Sequence, residues 1–231
     1  MAATPRSPRP DDPTGRPLRA LVAAGPTQEP IDQVRFIGNR SSGRMGRAIA
    51  DALRRAGCEV TMAAGPGVGA PEGVRAAGFR TAGDLLALLR AEWPTHDLLV
   101  MAAAVADYRP ARAPAGKLRR EDGPIALELV PTEDILTGLA GSRAPGQYVV
   151  GFALERPEDL ERSAAAKLAR KRADAIVANP LETMDAPDVD ATVLYADGSR
   201  AAPGRMPKED FARWLAAEIL PRARARRDAG A

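Results

Sequence analysis

The chain has 231 residues, with 33 Lys plus Arg against 30 Asp plus Glu and a net charge of +3, so it can bury one sizeable core under a mixed rather than cationic surface. Aromatics, at 4% of residues, are too few for the stacking platforms of a single-strand nucleic-acid binder, and no apolar run approaches the ~20 residues of a membrane span. The single cysteine, Cys58, excludes an internal disulfide and a cysteine metal cluster and fits a reducing, cytoplasmic compartment; neither nucleic acid nor membrane is an expected partner.

Residues 1–18, opening MAATPRSPRPDDPTGRP, are Pro-rich and polar and lack the apolar core of a signal peptide. They read as a disordered tail ahead of a single domain over 19–222. The short apolar run from Ala20 to Ala24 predicts a strand over 19–24 that is covered on both faces. A long polar loop follows, Gly25 to Gly46, and Met45, Ile49 and Leu53 then mark a helix over 43–56 that ends at Gly57. Strands are predicted over 59–64 and 74–79, with Cys58 a structural thiol at the head of the first. After a helix over 81–92, a loop carrying His96 leads into a strand over 98–104. The segment Asp107 to Pro124, DYRPARAPAGKLRREDGP, is too rich in Pro, Gly and charge for a regular element and reads as a mobile flap.

Beyond the flap, strands are predicted over 125–130, 147–153 and 175–178, with helices over 133–142 and 157–172. A polar connection from Leu181 to Val189 leads to a strand over 192–196 and a helix over 208–220, whose Phe211, Trp214, Leu215 and Ile219 share one face. Arg222, Arg224, Arg226 and Arg227 follow as a frayed basic end, with 223–231 a solvated tail. The alternation of strands and helices is that of an α/β domain with a mostly parallel sheet.

The loop from Gly25 to Gly46 lies where open parallel sheets hold their ligands, and Asn39, Ser41, Ser42 and Gly43 can offer donors to an anion at the helix start. Flap residues Lys117, Arg119 and Arg120 suit a cationic lid over a phosphoryl group, although a solvated charged loop has the same composition. Asp107, at a strand end, suits a magnesium ion, a ribose hydroxyl or a turn. Lys167 and Lys171 are four apart on one helix face, where they repel unless an anion lies between them; the bland alternative is a helix exposed to water. Phe152 is either core or the wall of a base pocket. A G-x-G-x-x-G fingerprint does not follow the first strand, where Gly25, Pro26, Thr27, Gln28, Glu29 and Pro30 stand instead, and no segment has a P-loop, which disfavours a classical NAD enzyme and a Walker ATPase.

In order along the chain, AAGPTQEPIDQVRFIGNRSSGRMG, AAAVADYRPA with a lysine ten residues after its aspartate, VVGFALE, the KLARK helix and IVANP resemble the phosphopantothenoylcysteine synthetases, the phosphopantothenate-cysteine ligases of coenzyme A biosynthesis. The resemblance spans about Arg19 to Leu220. It implies a Rossmann-like three-layer sandwich with a mostly parallel central sheet and a flexible flap, a homodimer, and a CTP-dependent reaction with Mg2+ that passes through an acyl-cytidylate. By motif position it implies Asn39 and Lys117 as catalytic residues, and Arg35, Asn39, Ser41, Ser42 and Gly43 as the phosphopantothenate loop. Nucleotide positions are implied at Asp107, Lys117, Glu133, Asp134, Ile135, Leu136, Phe152, Lys167 and Lys171, with Asp107 also a metal contact. Thr132 and Glu133 depart from the family's asparagine and proline. Many relatives carry this domain behind a flavin-dependent decarboxylase; the early first strand predicts a stand-alone synthetase without FMN. The alternatives are a nicotinamide-dependent reductase on the same architecture, disfavoured by the missing glycine fingerprint, and a non-catalytic nucleotide-binding protein.

Overall fold

The computed structural model describes residues 16–113, 116–184 and 186–230. Most of the expected N-terminal tail, the flap residues 114–115, residue 185 of the polar connection and residue 231 lie outside these. The first half of the domain runs β1 (Arg19–Pro26), β2 (Gln28–Pro30), β3 (Phe36–Gly38), α1 (Arg44–Arg55), β4 (Glu59–Ala64), β5 (Arg75–Gly78), α2 (Ala82–Glu92) and β6 (Leu98–Ala104). Next come β7 (Tyr108–Pro110), β8 (Leu129–Pro131), α3 (Ile135–Gly141), β9 (Tyr148–Glu155), α4 (Leu160–Lys171) and β10 (Ala175–Pro180). The chain closes with β11 (Asp188–Val189), β12 (Thr192–Tyr195), β13 (Arg200–Ala201), β14 (Met206–Pro207) and α5 (Lys208–Ala229).

The central sheet has eight strands in the order β13-β12-β10-β9-β6-β1-β4-β5. All neighbours from β10 to β5 pair parallel, while β12 and β13 close the far edge antiparallel. The period of two in β1 explains the layers: Ala20, Val22 and Ala24 face the core under α1 and α5, while Leu21 and Ala23 face the core under α2, α3 and α4. Both faces are apolar because both are covered. Ile49, Leu53, Phe211 and Leu215 fill the first layer, and Leu85, Leu89, Leu99 and Leu139 fill the second.

Cys58 is buried, as its place in the sequence suggested. His96 is buried as well: its Nδ1 donates to the Glu92 carbonyl at 2.7 Å and its Nε2 accepts from the Thr61 hydroxyl at 3.0 Å. Burial, the largest influence, pushes its pKa down, so the ring is a neutral tie between α2 and β4.

Three boundaries differ from the sequence reading. The strand expected over 125–130 is not part of the central sheet; β8 instead pairs antiparallel with β7 as a separate ribbon that frames the flap. Proline ends both strands, at Pro110 and Pro131, and cannot donate to a sheet ladder, so the ribbon stays short. The C-terminal helix runs on through Pro221 to Ala229 rather than fraying after 220. Ala223 is buried and Arg227, 6% exposed, donates to the Arg16 carbonyl at 3.2 Å, so packing carries the helix past its proline. At the other end the fold begins before residue 19, because Arg16 grips Asp97 with bonds of 2.9 and 2.6 Å and Leu18 is buried.

Close approach of α1 to the sheet depends on Gly46, where an added Cβ would lie 2.5 Å from the Ala24 Cβ and 3.3 Å from that of Ala102. The Gly46→Val variant is expected to lose about 1–3 kcal/mol of stability through overpacking, measured by urea unfolding; unchanged stability would show that α1 can shift without cost.

Candidate functional site

The site is assembled where β1 and β6 end side by side, with Pro26 opposite Ala104 in register. Thr27, fully buried, ties the two exits together: its N–H donates to the Ala104 carbonyl at 3.1 Å, and its hydroxyl accepts from the Ala106 N–H at 3.0 Å. Two residues on, the Glu29 carboxylate accepts the Ala82 N–H at 2.8 Å and anchors the loop to the start of α2. The polar loop expected between β1 and α1 therefore contains a hairpin, β2 and β3. Its turn is shaped by Asp32, whose Oδ1 accepts the Val34 and Arg35 N–H groups at 2.8 and 2.7 Å.

Asn39 leaves the hairpin and donates from Nδ2 to the Val105 carbonyl at 3.0 Å, which sets it above the end of β6. The Ser41 and Ser42 hydroxyls turn back on the loop and accept from the Gly43 and Arg44 N–H groups at 3.4 and 3.5 Å. Gly43 has φ +69°, and a Cβ there would meet Val68 Cγ2 at 2.5 Å and Gly25 Cα at 3.1 Å. Only glycine lets the chain cross the end of β1 at that distance.

The flap meets this loop. Leu118 donates its N–H to Asp32 Oδ2 at 3.1 Å and offers its carbonyl to Arg35 Nη2 at 3.0 Å, while Arg35 also pairs with Asp32 through Nη2 and through Nε at 3.0 Å. The neighbouring Lys117 is exposed and makes no ion pair among the described residues. The Arg35 hydrogen bond, outweighing burial, holds the Asp32 carboxyl well below the usual carboxylate range, so the pair is fully charged.

On the other side of β6, Thr132 binds back to the strand exit: its N–H donates to the Asp107 carbonyl at 2.9 Å and its hydroxyl to the Ala106 carbonyl at 2.6 Å. This gives Thr132 a structural use. Glu133 pairs with Arg90 on α2 at 2.5 Å. Asp134 caps α3 by accepting the Thr137 N–H at 3.1 Å and takes Lys171 Nζ at 2.5 Å. Burial would raise its pKa, but the bonds from Lys171 and Thr137 outweigh that and hold the carboxyl low. Lys167 pairs with Glu155 at the end of β9, also at 2.5 Å.

Each lysine thus has its own carboxylate, which corrects the reading of a repelling pair that needs an anion between its members. Ile135 is 2% exposed, and Leu136 packs on Gly151, where a Cβ would lie 2.7 Å from Leu136 Cδ2. The Ile135 side chain belongs to the core, which leaves its main chain for a ligand, while the Leu136 side chain is half-buried. Phe152 is half-buried and packs on the α1/α5 layer, so it is in part core. Among the described residues no group of three or more His, Cys, Asp or Glu could hold a metal, and Asp107 stands as a single exposed carboxylate.

The family profile of the DNA/pantothenate metabolism flavoprotein C-terminal domain matches residues 16–222. The chain belongs to this family. It is 42% identical over 207 residues to the coenzyme A biosynthesis bifunctional protein CoaBC of Mycobacterium tuberculosis, an alignment covering 84% of this chain and 49% of that protein. The chain therefore spans about half the length of the curated relatives it matches. Its fold superposes on the crystal structure of the C-terminal domain of a coenzyme A biosynthesis bifunctional protein CoaBC with a TM-score of 0.75 and 33% identity, covering 87% and 93% of the two chains. For the DNA/pantothenate metabolism flavoprotein from Streptococcus pneumoniae the TM-score is 0.77 at 25% identity, covering 89% and 99%. The α/β, Rossmann-like fold expected from the sequence is that of these family members. No helix among the described residues is long and apolar enough to cross a membrane.

Within this family member, the residues that sequence reading missed are the carboxylates behind the cations: Asp32, Glu155 and Asp134 in its second use as the partner of Lys171. Lys167 and Lys171 lie 12 and 37 positions from their carboxylates, so no local pattern marks those pairs, whereas Asp32 and Arg35 are three apart in one turn. Asp134→Ala is expected to destabilise the fold by about 1 kcal/mol through loss of the α3 cap, with Asp134→Asn closer to wild type. Because the folded carboxyl lies below its ordinary value, the stabilisation is complete above that value and is lost as pH falls through the lower folded one. The gap between wild type and Asp134→Ala should therefore narrow in acid to the share of the cap, which the protonated carboxyl can still form; a constant gap would remove the Lys171 pairing as a source.

Proposed function

We propose that this domain is a phosphopantothenate-cysteine ligase that activates 4'-phosphopantothenate with CTP and then joins it to L-cysteine. The observation that carries the reading is the contact between the loop that bears Asn39 and the flap that bears Lys117: Asn39 is bonded to the exit of β6, and Leu118, beside Lys117, is docked on the β2–β3 turn. Membership of a family whose relatives are named for coenzyme A biosynthesis supports the substrate class.

The chemistry explains the residue types. A carboxylate oxygen is a poor leaving group, so the carboxylate of 4'-phosphopantothenate attacks the α-phosphorus of CTP, forming a mixed anhydride and releasing pyrophosphate. The cysteine amine then attacks the acyl carbon, the C–O bond to phosphate breaks, CMP leaves and the amine loses a proton. Negative charge gathers first around phosphorus, where Lys117 would neutralise it, and then on the acyl oxygen, where the Asn39 amide would donate. Arg35 is held by Asp32 through Nε and Nη2, and its Nη1 has no partner among the described residues, which suits a preoriented contact to the substrate phosphate. Asp107, with Lys167 and Lys171 farther along the sheet edge, would face the nucleotide. Mg2+ is ordinarily held by one or two carboxylates plus substrate phosphates, and the single carboxylate of Asp107 fits that need; the ion would supply charge neutralisation at the triphosphate. Flavin plays no part in this chemistry.

Val34, Phe36, Tyr108, Ile125, Leu127 and Leu129 are 40 to 60% exposed on and beside the two ribbons. This apolar strip supports a homodimer that buries it. Phe36→Asp with Leu129→Asp is expected to give a monomer by sedimentation; an unchanged dimer would place the interface elsewhere, and a monomeric wild type would end the homodimer reading.

Pyrophosphate is expected only when CTP, Mg2+ and 4'-phosphopantothenate are all present, and amide only with cysteine as well. Parallel assays with ATP, UTP and GTP identify the nucleotide, and no pyrophosphate with any of them would defeat the ligase reading. Asn39→Ala should release pyrophosphate while accumulating the cytidylate, whereas Lys117→Ala should slow the first step on the order of 10²-fold or more. An unchanged first step would give the flap a structural role.

A further inference from the structure

A turn-capping aspartate needs one oxygen. Oδ1 of Asp32 does that work, accepting the Val34 and Arg35 N–H groups, and Oδ2 could have faced water. Instead the side chain is fully buried, and Oδ2 receives the Leu118 N–H at 3.1 Å from a segment 86 residues away. Arg35 completes the contact by donating to the carbonyl of the same residue at 3.0 Å. Both main-chain polar groups of Leu118 therefore end on one ion pair, as they would in a strand, although no strand is present there. Around them the flap is irregular and largely exposed, and this clamp is a direct tie between it and the β2–β3 turn. Lys117 is the next residue, and its Cα is fixed once the Leu118 peptide is fixed.

We propose that Asp32 is a positioning residue which, with Arg35, clamps the Leu118 main chain and so sets where Lys117 stands during activation of the carboxylate. This rests on the ligase reading for its kinetic consequence, while the clamp itself is a structural claim that can be tested without turnover. Asp32 touches no reacting atom; it acts through Lys117. It also ties the loop expected to hold the acyl substrate to the flap expected to act on the nucleotide, so the two halves of the site move as one unit.

Asp32→Asn separates the two jobs of the side chain. Its remaining oxygen can still accept the Val34 and Arg35 N–H groups, while the amide nitrogen in place of Oδ2 cannot accept from Leu118. Hydrogen exchange on the ligand-free protein should show the Leu118 amide protected in wild type and fast in Asp32→Asn, with the amides of Val34 and Arg35 still slow. Equal Leu118 exchange in both proteins overturns the clamp whether or not the wild type has ligase activity. With wild-type pyrophosphate release established, Asp32→Asn should lower kcat of that step on the order of 10- to 100-fold, the scale of a small misplacement of a catalytic group, and raise KM for 4'-phosphopantothenate as Arg35 loses its hold. In a Lys117→Ala background the same substitution should lower kcat no further. Wild-type kcat in Asp32→Asn, or a full multiplicative loss in the double variant, overturns the link to Lys117. Absence of pyrophosphate release from the wild type defeats the ligase reading and leaves the exchange result to decide the clamp.

Discussion

The parallel pairing of β1 with β6 is the constraint on which the rest of the molecule depends. Its register, Ala20 with Leu98 through Pro26 with Ala104, ends both strands at the same level and sends two long segments out side by side. Thr27 locks the exits, and Asn39 and Thr132 are bonded to the segment that leaves β6. A parallel pair needs a covered crossover, so the helices that bury the sheet also stand beside the ligand edge. Fold stability and site geometry are therefore set by the same strands.

Around that junction, ionic partners do the positioning. Asp134 with Lys171, Glu155 with Lys167 and Glu133 with Arg90 each tie one element of the edge to another, and Asp32 with Arg35 ties its own turn to the flap at Leu118. Exposed pairs of this kind add little stability, because water competes for both partners. The Asp32 pair differs, since its carboxylate is fully buried and also takes three main-chain N–H groups. A buried carboxylate with that many donors stays charged. Such a group is a better fixed point for a flexible segment than any surface contact nearby.

Much of the architecture could be read from local patterns. The apolar runs of β1, β4, β6, β9 and β10 lie within a residue or two of where alternation and composition put them, because strands covered on both faces are apolar at every position. The flap segment was visible from its prolines, glycines and charges. Where the reading failed, long-range contact had overruled the local signal: Arg227 and Ala223 are held by packing, so α5 passes Pro221, and β8 left the central sheet because its partner is the segment that opens the flap. The site shows the same division. Asn39, Lys117 and the SSG turn sit in motifs that a single stretch of sequence displays, whereas burial of the Ile135 side chain in the core is a matter of packing.

The sequence by itself determined the order of strands and helices, the two-sided burial of the sheet, the absence of dinucleotide and P-loop signatures and the motifs that resemble a ligase family, because each depends on residues within a few positions of one another. Only the tertiary structure decided which carboxylate each cation faces and that Asp32 and Arg35 hold the flap at Leu118. Those pairings join residues up to 86 positions apart, and no periodicity or spacing encodes them; they exist because the sheet brings the ends of β1 and β6 together.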